Sequence, residues 1–481
     1  MVSHTDDCGV IGFEKLRPVG LLERYSTARH YLGFYVNVAV TATYTLPEIC
    51  PHPARSYIYK ACKTLIGQHP TLSAIPVGEE TDEPYFVRLP SIDLDNCVFF
   101  EERRQRERNP LSNEPPNSDP DLDLEELLHI QHNIPFSPPS PFWRLCVLTN
   151  PDHAHVFTAS FVFHHAIGDG SSGMAFHKTF LHALHLALSS SSSSVEVVNT
   201  IESPKIPLLP NIEELHLMPV SIPFLLSILF KEKIWNKRNP NLWTGSKIAM
   251  PLQTEIRHLV LSKSQTVSFR DICRKNRTTV TAALQTLVAG AIFVNLSTHH
   301  SQLRCVGAIS NRRWLGDSIS DDSMGVFVQD FHDSYYRESF FDQEGNFKFP
   351  WDEAIRSRGT IKDTINRRGK NAMPNLLKYV TNFHSEVLMS KVGKNREDSY
   401  EVSNLGVFRS NLEPDAESRS PRVGRMVFSQ SANVTGSALE VSAITGGDGC
   451  LALAFSWQKD VVGLHLIDDI MKAVVLHLNI I

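Results

Sequence analysis

The sequence predicts a mixed α/β fold divided into two lobes. Segments rich in aromatic and β-branched residues, which are typical of strands, alternate in both halves with segments whose apolar residues recur at helical spacing. A serine tract at 189–194 and a proline-spaced segment at 204–223 interrupt this alternation near the middle. We therefore expect an N-terminal lobe at 1–200, a crossover linker at 201–250 and a C-terminal lobe at 251–481.

The first half of the chain contains the segments that would build the N-terminal lobe. Residues 34–44 alternate aromatic and β-branched side chains and predict a strand, whereas residues 53–68 show helical spacing. Residues 142–148 and 155–163 predict two strands joined by a short turn that contains proline. Apolar residues after residue 173 again recur at helical spacing, so we expect a helix directly behind the second of these strands.

The second half repeats the same mixture of elements. Thr279 can cap a helix whose apolar positions continue to Ile292. Residues 305–310 predict a strand, and three late strands separated by glycine-rich turns are expected at 424–429, 439–444 and 450–457. Both lobes should therefore combine sheet and helix.

Composition narrows the function classes. The 481 residues carry a formal charge of only -5 and contain no long Lys/Arg stripe, so a nucleic-acid partner is not expected. The eight cysteines include no close pair, and the first residues are polar and acidic, unlike a secretory signal. We therefore expect reduced cysteines and a cytoplasmic protein, which we take to be a monomer.

The longest apolar stretch, residues 219–230, is interrupted by serine and proline and falls short of the roughly 20 residues that a spanning helix requires. The basic residues that follow, Lys231, Lys233, Lys237 and Arg238, would suit a segment lying on an anionic membrane surface. A helix or crossover packed on the protein is the favoured interpretation, because interfacial anchors are rare.

The chemically specific motif is the run His-His-Ala-Ile-Gly-Asp-Gly at 164–170. It follows a predicted strand, where one histidine can face a cleft as a neutral base while Asp169 braces the loop and Gly170 permits close backbone approach. Metal binding is not expected, because adjacent histidines in an extended segment point to opposite sides and no Glu-x-x-His or cysteine cluster completes a site.

This run is the His-His-x-x-x-Asp-Gly signature of the CoA-dependent acyltransferase superfamily, which the sequence resembles along nearly its whole length. That superfamily includes chloramphenicol acetyltransferase, condensation domains, plant BAHD enzymes and fungal alcohol acetyltransferases. The opening Arg29-His30-Tyr31-Leu32-Gly33 is most similar to the fungal alcohol acetyltransferases. Further matches follow in order: Ile134-Pro135-Phe136, Pro141 to Leu145, Thr279 to Ile292, Ser310 to Arg313, Met324-Gly325 and Ser403 to Gly406.

The resemblance implies a fold of two chloramphenicol-acetyltransferase-like lobes with an active-site tunnel between them, which donor and acceptor enter from opposite mouths. His165 would be the general base, with His164 beside it, and Asp169 would turn away from substrate to pair with an arginine of the second lobe. Either Arg312 or Arg313 fits that pairing. The segment containing Ser403, Asn404 and Gly406 would line the oxyanion region.

The implied activity is O-acyl transfer, expected to be acetyl transfer, from acyl-CoA to the hydroxyl group of a small hydrophobic alcohol or secondary metabolite. Acyl-CoA would act as a co-substrate, and no permanently bound cofactor is expected. Two alternatives stay open: a condensation-type transferase that uses a carrier-protein thioester, and a homologue whose tunnel serves ligand binding or cyclisation. Ser137 stands where condensation domains often carry Asp, which disfavours condensation-type substrates.

Overall fold

The computed structural model describes residues 10, 12–48, 50, 52–104, 121–189, 198–233, 238–410 and 420–480. The helices of this part of the chain are α1 (Leu21–Tyr31), α2 (Ala54–Gln68), α3 (Leu122–Gln131), α4 (Gly170–Ser189), α5 (Ile212–Leu215), α6 (Ile222–Lys233), α7 (Lys263–Lys275), α8 (Val280–Asn295), α9 (Trp351–Asn366) and α10 (Leu464–Ile480). The strands are β1 (Glu14–Pro18), β2 (Val38–Thr45), β3 (Ala74–Val77), β4 (Tyr85–Arg88), β5 (Ser91–Asp93), β6 (Val98–Glu102), β7 (Trp143–Thr149), β8 (Val156–Phe163), β9 (Thr200–Glu202), β10 (Thr254–Leu261), β11 (Gln302–Ser310), β12 (Val328–Tyr336), β13 (Tyr400–Val407), β14 (Arg422–Gln430), β15 (Leu439–Thr445) and β16 (Leu451–Gln458).

The elements predicted from local patterns are present. The strand predicted at 34–44 is β2, the helix at 53–68 is α2, and the expected hairpin is β7 with β8, paired so that Trp143 lies opposite Phe163. Helix α4 follows β8, as expected, and α8 follows Thr279, whose hydroxyl accepts from the main-chain N–H of Ala282 at 3.3 Å. Most of the serine tract, residues 190–194, lies outside the described residues.

The first lobe is organised around a five-stranded sheet in the order β14-β2-β8-β7-β6. Every residue of β8 is buried, which explains why this strand is apolar on both faces except at Thr158 and Ser160. Helix α4 packs against the sheet through Phe176, whose ring stacks on that of Phe161 with centroids 3.8 Å apart. The sheet therefore holds the end of β8, where the histidine motif begins, inside a packed core.

One strand of this sheet comes from the C-terminal part of the chain. Strand β14 pairs antiparallel with β2, so that Phe428 lies opposite Val40 and Gln430 opposite Val38. The expectation that all of 251–481 belongs to the second lobe is thus wrong for β14. The physical reason is that a strand can join any sheet that offers an open edge of matching register. Because β14 and β2 are far apart in the sequence, no local pattern indicates that they pair.

The second lobe is organised around a six-stranded sheet in the order β10-β16-β15-β13-β11-β12. One face of this sheet and helix α8 form the second apolar core, to which α10 contributes Ile467, Ile470 and Val474. The other face turns toward the first lobe, because Ile256, Ile444 and Ala454 belong to the first core. Two sheets with their own helices and cores confirm the predicted mixed α/β fold with two lobes.

Helix α6 differs from the expected packed segment. Ile222, Leu226 and Phe230 are 73%, 59% and 47% exposed, so the apolar side chains of this helix lie largely outside the protein core. The segment is nevertheless held on the protein where it begins, because the main chain of Pro219 and Ser221 is hydrogen-bonded to Asn371. Among the described residues no single helix is long and apolar enough to span a bilayer, and α7 with α8 meets that test only as a pair bent by 102°.

Candidate active site

The histidine motif forms the connection between β8 and α4, the strand-to-helix junction that the sequence predicts. His164 continues the hairpin by donating its main-chain N–H to the carbonyl of Phe142 at 3.0 Å. Asp169 caps α4, because its carboxylate accepts from the main-chain N–H of Ser172 at 3.0 Å. The loop is thus tied to the sheet at one end and to the helix at the other.

His165 is half-buried, as is Gly170, whereas the other motif residues are buried. Within 161–169 it is the one residue that is not buried. Its Nδ1 atom is enclosed and has no hydrogen-bond partner among the described residues, which leaves Nε2 for an incoming group. Burial, followed by the positive charge of Arg29, lowers the pKa of His165 to about 4, so the imidazole is neutral near pH 7 and can accept a proton.

The Asp169 carboxylate is held by five hydrogen bonds. Arg312 donates Nη1 and Nη2 to its two carboxylate oxygens at 2.7 and 2.9 Å, an ion pair between two almost fully buried side chains. Phe327 N–H and the N–H and hydroxyl of Ser172 supply the other three bonds, at 3.0, 3.0 and 3.2 Å. Burial alone would raise the pKa of Asp169, but Arg312 keeps it below its usual value.

The structure distinguishes the two candidate arginines. Arg312 is 3% exposed, and its guanidinium also donates to the carbonyls of Ser323 and Gly325 at 3.1 and 3.2 Å. Arg313, the next residue in a short 3-10 turn, is exposed. Arg312 therefore makes the ion pair between the lobes, and Arg313 takes no part in it.

His164 belongs to a buried group that the sequence did not reveal. Glu79 lies between two imidazoles, with Oε2 at 2.7 Å from Nδ1 of His30 and Oε1 at 3.2 Å from Nε2 of His164. Burial would raise the pKa of Glu79, but the two histidines lower it to about 2. Burial lowers the pKa of His164 to about 4. An ionised carboxylate thus lies between the two rings, behind the histidine motif.

Three potential metal ligands meet in this group, so its fit to a metal ion can be tested from its hydrogen bonds. Nδ1 of His164 accepts from Ala166 N–H at 2.9 Å, and Nε2 of His30 accepts from Phe136 N–H at 3.1 Å. A ring nitrogen that accepts an N–H carries no proton, so the proton of each ring lies on the nitrogen that faces Glu79. A metal requires those nitrogens without protons, so the tautomers set by the backbone do not fit a metal site.

The segment around Phe136, one of the stretches that carried the family resemblance, supports this group. Arg144 donates to the carbonyls of Ile134 and Pro135 at 2.7 and 3.3 Å, and its guanidinium lies 4.1 Å from the centre of the Phe136 ring. This arrangement holds the Phe136 N–H against His30. Sequence could have suggested the link, since His30 and the segment 134–136 both belong to the resemblance, but Glu79 lies in a loop with no motif of its own.

The predicted oxyanion segment divides between two faces of β13. Ser403 is buried on the face toward the first lobe, where its hydroxyl donates to Glu401 at 2.7 Å. Asn404 points the other way and donates to Thr281 at the start of α8 at 3.0 Å. Asn404 therefore lies on the opposite face of β13 from Ser403, because successive strand residues face opposite sides. Gly406 has a φ of +82° and accommodates the bulge that ends this regular pairing.

Gly170 allows β13 to approach the motif closely. A Cβ atom at this position would lie 2.7 Å from Cδ2 of Leu405 and 3.2 Å from Cζ of Phe428. Leu405 shares its strand face with Ser403, so this contact brings the second lobe against the first turn of α4. The predicted close backbone approach is thus a packing contact between the lobes.

Known proteins are similar to this chain over almost its whole length. The sequence model of the family described as alcohol acetyltransferase matches residues 18–473. The probable alcohol acetyltransferase crmB of Aspergillus fumigatus is 35% identical over 92% of this chain and 95% of its own length, and the probable alcohol acetyltransferase FCK4 of Fusarium pseudograminearum is 25% identical over 95% and 93%.

Solved structures share the fold at low sequence identity. The trichothecene 15-O-acetyltransferase TRI3 of Fusarium sporotrichioides superposes with a TM-score of 0.68 at 12% identity, covering 96% of this chain and 94% of that one. The epimerization domain of tyrocidine synthetase B gives 0.60 at 14% identity over 97% of each chain. With the family match spanning almost the whole sequence, the chain belongs to the alcohol acetyltransferase family.

Proposed function

We propose that this chain transfers an acetyl group from acetyl-CoA to the hydroxyl group of a small alcohol, with His165 as general base. The observation that carries the proposal is the state of His165: a neutral imidazole with Nδ1 enclosed and Nε2 open, on a loop tied down at both ends. The alcohol acetyltransferase relatives and the 15-O-acetyltransferase neighbour support an alcohol as acceptor and acyl-CoA as donor.

In the proposed reaction, Nε2 of His165 removes the hydroxyl proton as the alcohol oxygen attacks the thioester carbonyl carbon. The carbonyl electrons move onto oxygen in the tetrahedral intermediate and return when the carbon–sulfur bond breaks. The imidazolium then gives its proton to the leaving thiolate, so the products are the ester and free CoA. Acceptor and donor bind together, and no covalent acyl-enzyme is required.

Asp169 acts in this proposal as a positioning residue. Its carboxylate is fully engaged by Arg312, Ser172 and Phe327, which leaves it no free oxygen for substrate. Ser403 stays the candidate for the oxyanion region, since it lies on the face of β13 that meets the first lobe. Its hydroxyl would have to leave Glu401 to donate to the oxyanion.

The remaining parts of the proposal concern the context of the enzyme. We propose that the segment 201–250 joins the two lobes and that a tunnel between them receives donor and acceptor from opposite sides. The seven cysteines in the described part of the chain are all unpaired, which supports a reducing compartment such as the cytoplasm. We propose a monomer, because both lobes and the ion pair between them come from one chain.

The test uses purified full-length protein, acetyl-CoA and a panel of alcohols, with free thiol release and ester formation measured in parallel. We expect equal amounts of thiol and ester from the wild type and a loss of about 100-fold or more in His165→Ala. His164→Ala should lose less, since its ring is buried behind the loop. Thiol release without ester, or unchanged turnover in folded His165→Ala, would contradict the proposal.

The donor is tested separately, because condensation domains share the fold. Acetylated carrier protein and acetyl-CoA are offered together, each with a different isotopic label in the acetyl group. We expect the ester to carry the label of acetyl-CoA. A product that carries mainly the carrier-protein label would replace CoA as donor while leaving His165 as the base.

A further inference from the structure

The face of the second sheet that meets the first lobe carries a cluster of polar side chains, which we call the polar patch. Its members are Glu401 and Ser403 on β13, Glu440 and Ser442 on β15, and Ser456 on β16. The register places Glu401 beside Glu440 and Glu440 beside Ser456, with Ser403 beside Ser442 in the next row. Because alternate strand residues share a face, all five side chains lie on one side of the sheet.

The polar patch is buried but incompletely hydrogen-bonded. Glu440, Ser442 and Ser456 are 2%, 1% and 0% exposed. Oε2 of Glu440 and the hydroxyl oxygens of both serines have no hydrogen-bond partner among the described residues. Buried polar atoms nearly always have a partner in folded proteins, so three such atoms on neighbouring strands indicate a place that a polar group occupies.

Hydrogen bonds connect the polar patch to the surroundings of His165. Gln430 on β14 donates to Oε1 of Glu401 at 3.1 Å and accepts from the hydroxyl of Tyr35 at 3.2 Å. The ring of Tyr35 in turn lies 5.7 Å from that of His165, measured between centroids. These contacts link the Glu401 end of the polar patch to the ring beside the proposed base.

Charge in this region is balanced without a tight ion pair. The Arg29 guanidinium lies 4.5 Å from the centre of the Tyr35 ring, and no described carboxylate lies within salt-bridge distance of it. Burial raises the pKa of Glu401 and raises that of Glu440 well above its usual range, although Arg29 opposes both effects. A neutral group that both donates and accepts hydrogen bonds fits such surroundings without adding an uncompensated charge.

We infer that the polar patch binds a second hydroxyl group of the acceptor, separate from the hydroxyl that is acylated. The acceptor class is then a diol or polyol, in place of the simple hydrophobic alcohol that the sequence suggests. This inference rests on the proposed function, since it assumes that the acceptor occupies the region beside His165. A hydroxyl can donate to Oε2 of Glu440 and accept from Ser442 or Ser456, which satisfies the unpaired atoms.

The experiment compares three acceptors of equal length: hexanol, the terminal diol hexanediol and the terminal amino alcohol aminohexanol. We expect kcat/KM for hexanediol to exceed that for hexanol by at least about tenfold, because a missing hydroxyl leaves buried polar groups unpaired. The double variant Ser442→Ala/Ser456→Ala should bring this ratio close to one. Ser390→Ala, at an exposed serine, serves as the matched control and should keep the wild-type ratio.

Binding to His165→Ala, measured by calorimetry with hexanol and hexanediol, repeats the comparison without turnover. No thiol release with any acceptor would contradict the proposed function, whereas equal affinity for the two alcohols would overturn the inference alone. An equal kcat/KM for hexanol and hexanediol, or a hexanediol preference that survives the double variant, would also overturn it. A preference for aminohexanol would assign the polar patch to an ammonium group and refute the hydroxyl.

Discussion

The ion pair between Asp169 and Arg312 should contribute strongly to stability, because it is the buried charge contact that joins the motif loop to the second lobe. Arg312→Met removes the guanidinium and leaves the carboxylate with Phe327 N–H and Ser172 as donors. Asp169→Asn has the opposite effect and leaves the guanidinium among carbonyls. Arg313→Met is the matched control, since that neighbouring side chain is exposed.

The size of the effect follows from the burial of the pair. Breaking a buried ion pair costs about 3–5 kcal/mol. A carboxyl group left alone can instead take up a proton, and raising its pKa from about 3.9 to 7 costs about 4 kcal/mol, which sets an upper limit at pH 7. At pH 5 the same limit is about 1.5 kcal/mol. The deficit of Arg312→Met should therefore shrink as the pH falls, because protonation removes the unpaired charge.

The assay is equilibrium urea unfolding, followed by tryptophan fluorescence at pH 7 and pH 5. We expect each single variant to lose about 3–4 kcal/mol at pH 7 and Arg313→Met to change by less than about 0.5 kcal/mol. The double variant Asp169→Asn/Arg312→Met should lose at least about 1 kcal/mol less than the sum of the two. Additive losses, or an equal loss in Arg313→Met, would refute the assignment of Arg312 as the partner.

Three further predictions concern the motif loop. The pKa of His165 is lowered to about 4, so its ring stays neutral until the pH approaches that value. We therefore expect kcat/KM, measured against pH, to fall only near pH 4–5. A fall centred near pH 6.5 would contradict the burial of the base. Gly170→Ala should lower the free energy of urea unfolding by about 1–3 kcal/mol, because the added methyl group overpacks against Leu405. Adding Leu405→Ala should restore part of that loss. No recovery would mean that the added methyl group clashes with a different residue. Glu79→Gln places an NH2 group opposite a ring N–H and should lower the unfolding free energy by about 1–3 kcal/mol, whereas Glu83→Gln, at an exposed position, should not.

Sequence reasoning succeeded where the signal is local. Helical spacing of the apolar residues located α8 to within a few residues, and the mostly apolar composition of 155–163 did the same for β8. Both elements are buried in a core, and burial leaves such a pattern in the sequence. The junction of β8 with α4 followed from the strand pattern before the histidine motif and the helical spacing after it. The family resemblance implied that Asp169 pairs with an arginine, but it could not choose between Arg312 and Arg313, which are adjacent and chemically equal.

Contacts between distant segments were beyond the reach of the sequence. The position of Glu79 between His30 and His164 depends on a loop, a helix and a strand end that meet only after folding. The division of Ser403 and Asn404 between two faces depends on the register of β13, which a short motif does not specify. The exposure of α6 was missed because its apolar composition resembles that of a buried helix.

The pairing of β14 with β2 has a consequence for synthesis of the chain on the ribosome. Strand β2 can pair with β8 as soon as both have emerged, but its other edge has no partner until residues 422–430 have left the exit tunnel. At about 5–20 residues per second, the interval between the emergence of β8 and that of β14 is on the order of tens of seconds. During this time an apolar strand edge is open to other nascent chains, which makes it a natural binding site for chaperones.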